Sequence, residues 1–200
     1  MLSSSLNSVD VGAHAGAILE LLVARAPRGS HWAVEPLPAF ATQLRKSFPT
    51  VTVCQVALSD SEGEAEFLHV RNQPGYSGLR RRPYDFRDPD IERISVRVDT
   101  LDRLIPDDID IHLIKVDVEG GELGVLLGGM RLLRRCRPYV VFEHGRDSAA
   151  AYGTRSEQIY DLFAESGLRI SRMRDWLGGG PVLTRAEFVA GPEFMYLAHP

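Results

Sequence analysis

The sequence is poor in several features that would mark other kinds of protein. Two cysteines, Cys54 and Cys136, in 200 residues are too few for a disulfide framework. Neither has a metal-ligating neighbour at short spacing, so both read as buried thiols in apolar runs. No apolar run reaches the roughly 20 residues that cross a bilayer. Met1–Asn7 is rich in serine and has no charged leader ahead of a hydrophobic segment, which argues against a secretory signal. A formal net charge of −4 gives no broad basic field for nucleic acid. Internal repeats, low-complexity segments and linkers are missing too. These absences exclude disulfide-scaffold, membrane and nucleic-acid-coating classes, and lead us to expect a cytoplasmic protein with neither membrane nor nucleic acid as partner. A hydrophobic share of 44% suffices for a full core, and the length suits one domain, residues 1–200.

What is present is an alternation of short apolar runs with helical periodicity. Ser8–Val11 reads as a strand, and Ala17–Ala26 as a helix stopped by Pro27 and Gly29. His31–Glu35 is a second strand, Pro38–Ser47 a helix and Val51–Val56 a third strand. Gly63–Val70 and Ile94–Val98 alternate like half-exposed strands, and Asp99–Ile105 forms a short helical turn. Ile109–Val116 is a buried strand. A helix over Glu122–Leu133 follows, with Leu123, Leu126, Leu127, Met130 and Leu133 at helical spacing. Cys136–Phe142 reads as a strand, Arg146–Thr154 as a loop and Glu157–Ser166 as a helix closed by Gly167. Leu168–Met173 and Phe194–Ala198 complete the set as strands around Gly178–Pro181. Strands alternating with helices predict an α/β fold, a mostly parallel, doubly wound sheet with helices on both faces. Between Asn72 and Asp90 lies a long aperiodic stretch, rich in Gly, Pro, Arg and Tyr, of the kind that serves as a lid or binding loop.

Three constellations bear on chemistry. The first is Asp10-x-Gly12-x-x-x-Gly16 between strand and helix, with His14 inside it. Glycines let backbone approach a ligand, and a helix start favours polar or anionic groups. Glu35 follows at about the 20-residue spacing at which an acid meets ribose hydroxyls. The second is a pair of strand ends. Asp117 closes one buried strand and Glu143-His144 the next, at the carboxyl edge where open α/β sheets bind ligands. Two carboxylates and an imidazole there can hold a divalent metal such as Mg²⁺, with Asp117, Glu143 and His144 as ligands. Alternatively, His144 takes a proton from a hydroxyl while an acid orients it. Glu119 and Glu122 are expected mainly to shape the loop and the first turn of the following helix. The third is Arg80-Arg81-Arg82, read first as a solvated face and second as a grip on phosphates.

In order along the chain, Asp10-Val-Gly-Ala-His-Ala-Gly16, Glu35-Pro36, Val56-Ala-Leu-Ser-Asp60 with Glu62-Gly63, Val98-Asp-Thr-Leu-Asp102, Ile114-Lys-Val-Asp-Val-Glu-Gly120 and Arg137-Pro-Tyr-Val-Val-Phe-Glu143 resemble the FkbM-type methyltransferases. The resemblance spans Val9 to about Ile170, and the Lys-Val-Asp-Val-Glu-Gly stretch is its most specific element. It implies a Rossmann-like class I methyltransferase fold, with an antiparallel C-terminal strand, and S-adenosylmethionine as cofactor. The implied reaction is O-methylation of a small hydroxylated, sugar-like or natural-product acceptor. Carried over, Asp10, Gly12 and Gly16 surround the methionine part of the cofactor and Glu35 binds the ribose. Ala57, Leu58 and Ser59 lie near the adenine, and Asp117 near the sulfonium and the incoming hydroxyl. His14, where the family often has asparagine, is counted with the cofactor-binding residues. Relatives usually carry a helical segment before the first strand, so closure here is expected from the Asn72–Asp90 loop or from a second subunit in a homodimer. An RNA methyltransferase using Arg80–Arg82, and a non-enzymatic or NAD-binding module, are the rival readings.

Overall fold

The computed structural model of the chain describes residues 4–191 and 195–200; Phe194, assigned above to the last strand, lies outside them. In chain order the elements are β1 (Ser8–Val11), α1 (Ala17–Arg25), β2 (His31–Val34), α2 (Pro38–Ser47), β3 (Thr52–Cys54), β4 (Ala57–Leu58), β5 (Gly63–Val70), β6 (Ile91–Asp99), α3 (Leu101–Leu104) and β7 (Leu113–Val116). Then follow α4 (Glu122–Leu127), α5 (Met130–Cys136), β8 (Tyr139–Glu143), α6 (Arg146–Ala151), α7 (Ser156–Glu165), β9 (Arg169–Arg172), α8 (Met173–Leu177), α9 (Arg185–Ala190) and β10 (Met195–His199). The main sheet has the order β3-β2-β1-β7-β8-β10-β9. It is parallel from β3 to β8, and β10 runs antiparallel to both β8 and β9. The expected α/β architecture is therefore present, including its antiparallel C-terminal strand. A smaller sheet, β4-β6-β5, stands beside it and was not foreseen as a separate layer.

Three local readings need correction. The helix expected over Glu122–Leu133 is two helices, broken at Gly128-Gly129. A Cβ on Gly128 would lie 2.1 Å from the Ser59 carbonyl oxygen, so the chain passes too close there for any other residue. Asp102 then starts α5 afresh: its carboxylate accepts the N–H groups of Arg131 and Leu132 at 2.9 and 2.7 Å, satisfying donors that a helix start leaves open. Cys136 consequently ends a helix rather than opening a strand. Arg146–Ala151 is helical rather than loop, and α8 and α9 occupy the region around the Gly178–Pro181 connection.

The pleat decides which side chains reach the site. Along β1, β2, β7 and β8, one set of alternate residues (Val9, Val11, Trp32, Val34, Ile114, Val116, Val140, Phe142) enters a single core with Val125, Leu126, Leu133, Ile159 and Phe163. The other set turns to the opposite face, where Ala33 packs with Leu19 and Leu44 of α1 and α2. Asp10 pairs in register with Lys115, and Lys115 with Val141. By the two-residue period Asp10, Lys115, Asp117 and Glu143 therefore share this second face, and the strands' carboxyl ends bring them to one edge.

Candidate active site

β1 leaves the sheet through a turn that only glycine permits. Gly12 has φ +75°, and a Cβ on it would sit 1.9 Å from the carbonyl oxygen of Asp117. The exits of β1 and β7 are thus in direct contact. Gly16, at φ +90°, abuts Leu44 and Phe48 and starts α1. Between them His14 is itself left-handed, φ 48°, and donates its backbone N–H to Glu35 Oε2 at 2.9 Å. Glu35 Oε1 accepts the Leu37 N–H at 2.8 Å. The Glu35 carboxylate, 4% exposed, therefore holds the glycine turn and the β2 exit together. Burial pushes its pKa up, and the two backbone donors oppose that rise. The His14 ring lies 4.0 Å from the ring of Phe40. Its Nε2 is buried and without a hydrogen-bond partner. Burial first, and then the charge of Lys115, keep the imidazole below its usual pKa.

These residues border a cleft of about 340 Å³, within the size range of small-molecule sites. One end is apolar, walled by Leu37, Val56, Ala57, Leu58 and Phe67. The other end is charged, with Glu35, Lys115, Asp117 and Glu119. Gly12 and His14 line it too. Asp10 lies behind the wall, fully buried, its pKa raised by that burial against the lowering effect of Lys115. Ser59 faces a neighbouring groove, with its hydroxyl 3.3 Å from Asp60, so of the three residues expected near adenine only Ala57 and Leu58 line the cleft.

At the charged end Asp117 and Glu143 meet as expected. Their carboxyls are hydrogen-bonded to one another, and Glu143 is pushed up to about 8 by burial and then by the charge and hydrogen bond of Asp117. Glu122 is 1% exposed. Its Oε1 accepts the N–H groups of Val118 and Gly120, both at 3.1 Å, which matches its expected part in shaping the loop. Glu119 is drawn inward instead. It adopts φ 61°, pairs with Arg82 and is raised to about 7 by burial, against the lowering charge of Arg82.

His144 does not join this group. It belongs to the alternate set that faces the core: it is 3% exposed, its ring stacks on Phe188 and its Nε2 is 2.8 Å from the Ser156 hydroxyl. Adjacent strand residues point to opposite faces, so Glu143 and His144 cannot serve one site together. The proposed ligand set of Asp117, Glu143 and His144 is accordingly not assembled. Among the described residues no group of three His, Cys, Asp or Glu side chains is placed to hold a metal ion. Of that set only the Asp117 and Glu143 carboxyls meet.

Two residues of the site, Lys115 and Tyr152, were not singled out from the sequence, and Arg82 was read only as one of the run Arg80–Arg82. Lys115 lies among the charged groups, 2.7 Å from the Gly12 carbonyl. Its signal was a lysine two positions before Asp117, hence on the same strand face. Arg82 turns in from the long loop, pairing with Glu119 and resting 4.6 Å above the Tyr76 ring. Tyr152 accepts the Arg80 N–H at 3.2 Å and lies against Gly120 and Gly121. The loop itself is a roof: Pro74, Gly75, Ser77, Gly78 and Leu79 line the cleft. It is tied at its base by Arg71–Asp90, 2.7 Å, and internally by Tyr76–Asp85, 2.6 Å.

A model of the methyltransferase FkbM domain matches residues 10–174. The chain belongs to the FkbM methyltransferase family. No curated protein matches it by sequence. Among solved structures, an FkbM methyltransferase from Methylobacillus flagellatus superposes with a TM-score of 0.60 at 17% identity, over 100% of this chain and 44% of that one. An Aeropyrum pernix fibrillarin, crystallised with natively bound S-adenosyl-L-methionine, gives 0.51 at 12% identity, over 100% of this chain and 69% of that one. A TehB-like methyltransferase from Corynebacterium glutamicum gives 0.50 at 14%, over 98% and 79%. The fold is therefore that of class I methyltransferases, and this FkbM chain spans 44% of the length of the first of these structures. Among the described residues no helix is long and apolar enough to cross a membrane.

Proposed function

We propose that this FkbM chain is an S-adenosylmethionine-dependent O-methyltransferase acting on a hydroxyl of a small, uncharged, sugar-like acceptor. The observation that carries the reading is one cleft whose lining combines apolar Leu37, Val56, Ala57, Leu58 and Phe67 with Glu35 and with Asp117, the carboxyl that Glu143 meets from behind. The residues fit such a cofactor. Glu35 has carboxylate lone pairs to offer ribose hydroxyls, Ala57, Leu58 and Phe67 suit a purine, and the buried, unpartnered Nε2 of His14 suits a polar ligand group. When bound, the cofactor supplies an electrophilic methyl group on a sulfonium; the carbon–sulfur bond breaks as the carbon–oxygen bond forms.

The chain's own part is alignment and proton removal. Glu143 keeps its proton up to about pH 8 and donates it to Asp117. The remaining lone pairs of Asp117 then face the cleft, where they orient the acceptor hydroxyl and receive its proton. The roof loop excludes water, and Arg82 and Tyr152 close the acidic end. Four acids gather there (Asp117, Glu119, Glu122, Glu143), while Lys115 and Arg82 are both already engaged. That balance disfavours a phosphorylated or polyanionic acceptor. It also weakens the RNA reading, since Arg82 is committed inside the protein.

Calorimetric titration with S-adenosylhomocysteine and with NAD tests the cofactor assignment. We expect the former to bind and Glu35→Gln to weaken it about tenfold or more through lost charge-assisted hydrogen bonds. NAD binding without S-adenosylhomocysteine binding would overturn the assignment. Methyl transfer across a sugar panel, in Mg²⁺ and in EDTA, tests the acceptor class.

A further inference from the structure

Lys115 is a lysine inside a sheet. Ile114 and Val116 beside it are fully buried, and its own side chain is 10% exposed. A buried ammonium persists only where charges and hydrogen bonds compensate its lost hydration. Lys115 has both. Nζ donates to the Gly12 carbonyl at 2.7 Å and reaches the Val11 carbonyl at 3.4 Å. It stands 3.4 Å from Asp10 Oδ1 and 3.5 Å from Asp117 Oδ2. One ammonium is thus shared between the acid under the glycine turn and the acid at the reacting end. Among the described residues that line the cleft, Lys115 is the one lysine or arginine. The other charged or titratable groups around it are Glu35 and His14 across the turn, Glu143 on Asp117, Glu122 at the start of α4, and the Glu119–Arg82 pair under the roof.

The cofactor of the reading above carries a cationic sulfonium, and its demethylated product a neutral thioether. Charge at the Asp117 end therefore acts on one and not on the other. We propose that Lys115 is a positioning residue that holds Asp117 against the glycine turn and, by partly neutralising it, sets how strongly the site prefers S-adenosylmethionine to S-adenosylhomocysteine. This rests on the methyltransferase reading. Without the ammonium, Asp117 would hold the cation more tightly relative to the product. Without the Asp117 carboxylate, the preference would fall.

The test is the ratio of the two affinities, measured by calorimetry without acceptor, so that damage common to both ligands cancels. At an effective dielectric near 20, a charge about 12 Å from the sulfonium is worth about tenfold, and a closer one more. Lys115→Met is expected to raise the ratio about that much and Asp117→Asn to lower it. Lys115→Arg, which keeps the charge, should leave it within about twofold. If Lys115→Met does not fold, Lys115→Gln removes the charge while retaining a donor for Gly12. An unchanged ratio in a folded charge-removing variant, with both affinities falling in parallel, overturns the proposal, and so does an unchanged ratio in Asp117→Asn. A wild-type protein that binds neither ligand instead overturns the methyltransferase reading on which the proposal stands.

Discussion

Glu143→Gln should make the protein more stable, by an amount that grows as pH rises from 4.5 to about 8. The side chain moves from an ordinary 4.5 to about 8 in the fold. Between those values the unfolded chain has released the proton and the folded chain keeps it. The folded state then binds more protons, so stability falls as pH rises through this window. The penalty is absent below 4.5 and complete above about 8. At about 1.4 kcal/mol per tenfold its upper bound is about 5 kcal/mol; Glu143 is only half buried, and solvent screening reduces that to about 2 kcal/mol. Glutamine has the same shape, still donates an N–H to Asp117 and cannot ionise. Glu143→Gln should therefore match wild type near pH 4.5 and exceed it by about 2 kcal/mol above pH 8, about 4–8 °C in Tm for a chain of this size. Glu119, raised to about 7, gives a slope of the same sign in both proteins, so the difference between them isolates residue 143. Urea denaturation at pH 5 and 8.5 measures it. A variant no more stable than wild type at pH 8.5 would refute the protonated-pair account.

Gly12→Ala should remove cofactor binding and destabilise the fold by at least about 2 kcal/mol, because the added carbon collides with the Asp117 carbonyl at a positive φ; thermal melts and S-adenosylhomocysteine titration check both effects. His144→Ala should cost about 2–3 kcal/mol, for the lost Ser156 hydrogen bond and Phe188 stack, yet leave S-adenosylhomocysteine affinity within about twofold. A stable variant with lost affinity would contradict its placement in the core. Arg82→Ala should loosen the roof at a cost of about 1–2 kcal/mol, through loss of the Glu119 pair and the Tyr76 contact. Hydrogen exchange over residues 71–90 should rise selectively, and exchange unchanged from wild type would show that Arg82 does not hold the loop.

The parallel sheet is legible because β1, β2 and β7 are short apolar runs that end in glycine or acid, and because helical periodicity separates them. The break in the helix after Leu127 is not, since Leu123, Leu126, Met130 and Leu133 keep helical spacing across it. What interrupts it is tertiary: the Asp102 N–H takes the Gly128 carbonyl at 2.8 Å, and the Asp102 carboxylate caps α5. The α9 start was open to reading, since Thr184 and Glu187 form a capping box. At the site, Glu35, Asp117 and Glu143 are visible as strand-end acids. His144 is misplaced by ignoring the pleat, which sends neighbouring residues to opposite faces. Arg82 is hidden in a run of three arginines, where composition cannot say which one turns inward.

Burial raises the pKa of Asp10, Glu35, Glu119, Glu122 and Glu143 together. Each marks a place where the fold opposes a negative charge that water would favour. Glu35 and Glu119 line the cleft, and Asp10, Glu122 and Glu143 lie behind it, because successive strand exits and the start of α4 bring them to one edge of the sheet. The opposition is sustained by the apolar set on the other face of the same strands, where Val11, Val116 and Phe142 are fully buried. Stability is thus generated on one side of the sheet and spent on the other, and the same alternation that points Phe142 into the core points Glu143 at Asp117. A cationic ligand entering the cleft would relieve the strain among these acids without moving the core, so binding should stabilise the whole domain although it touches only the strand ends.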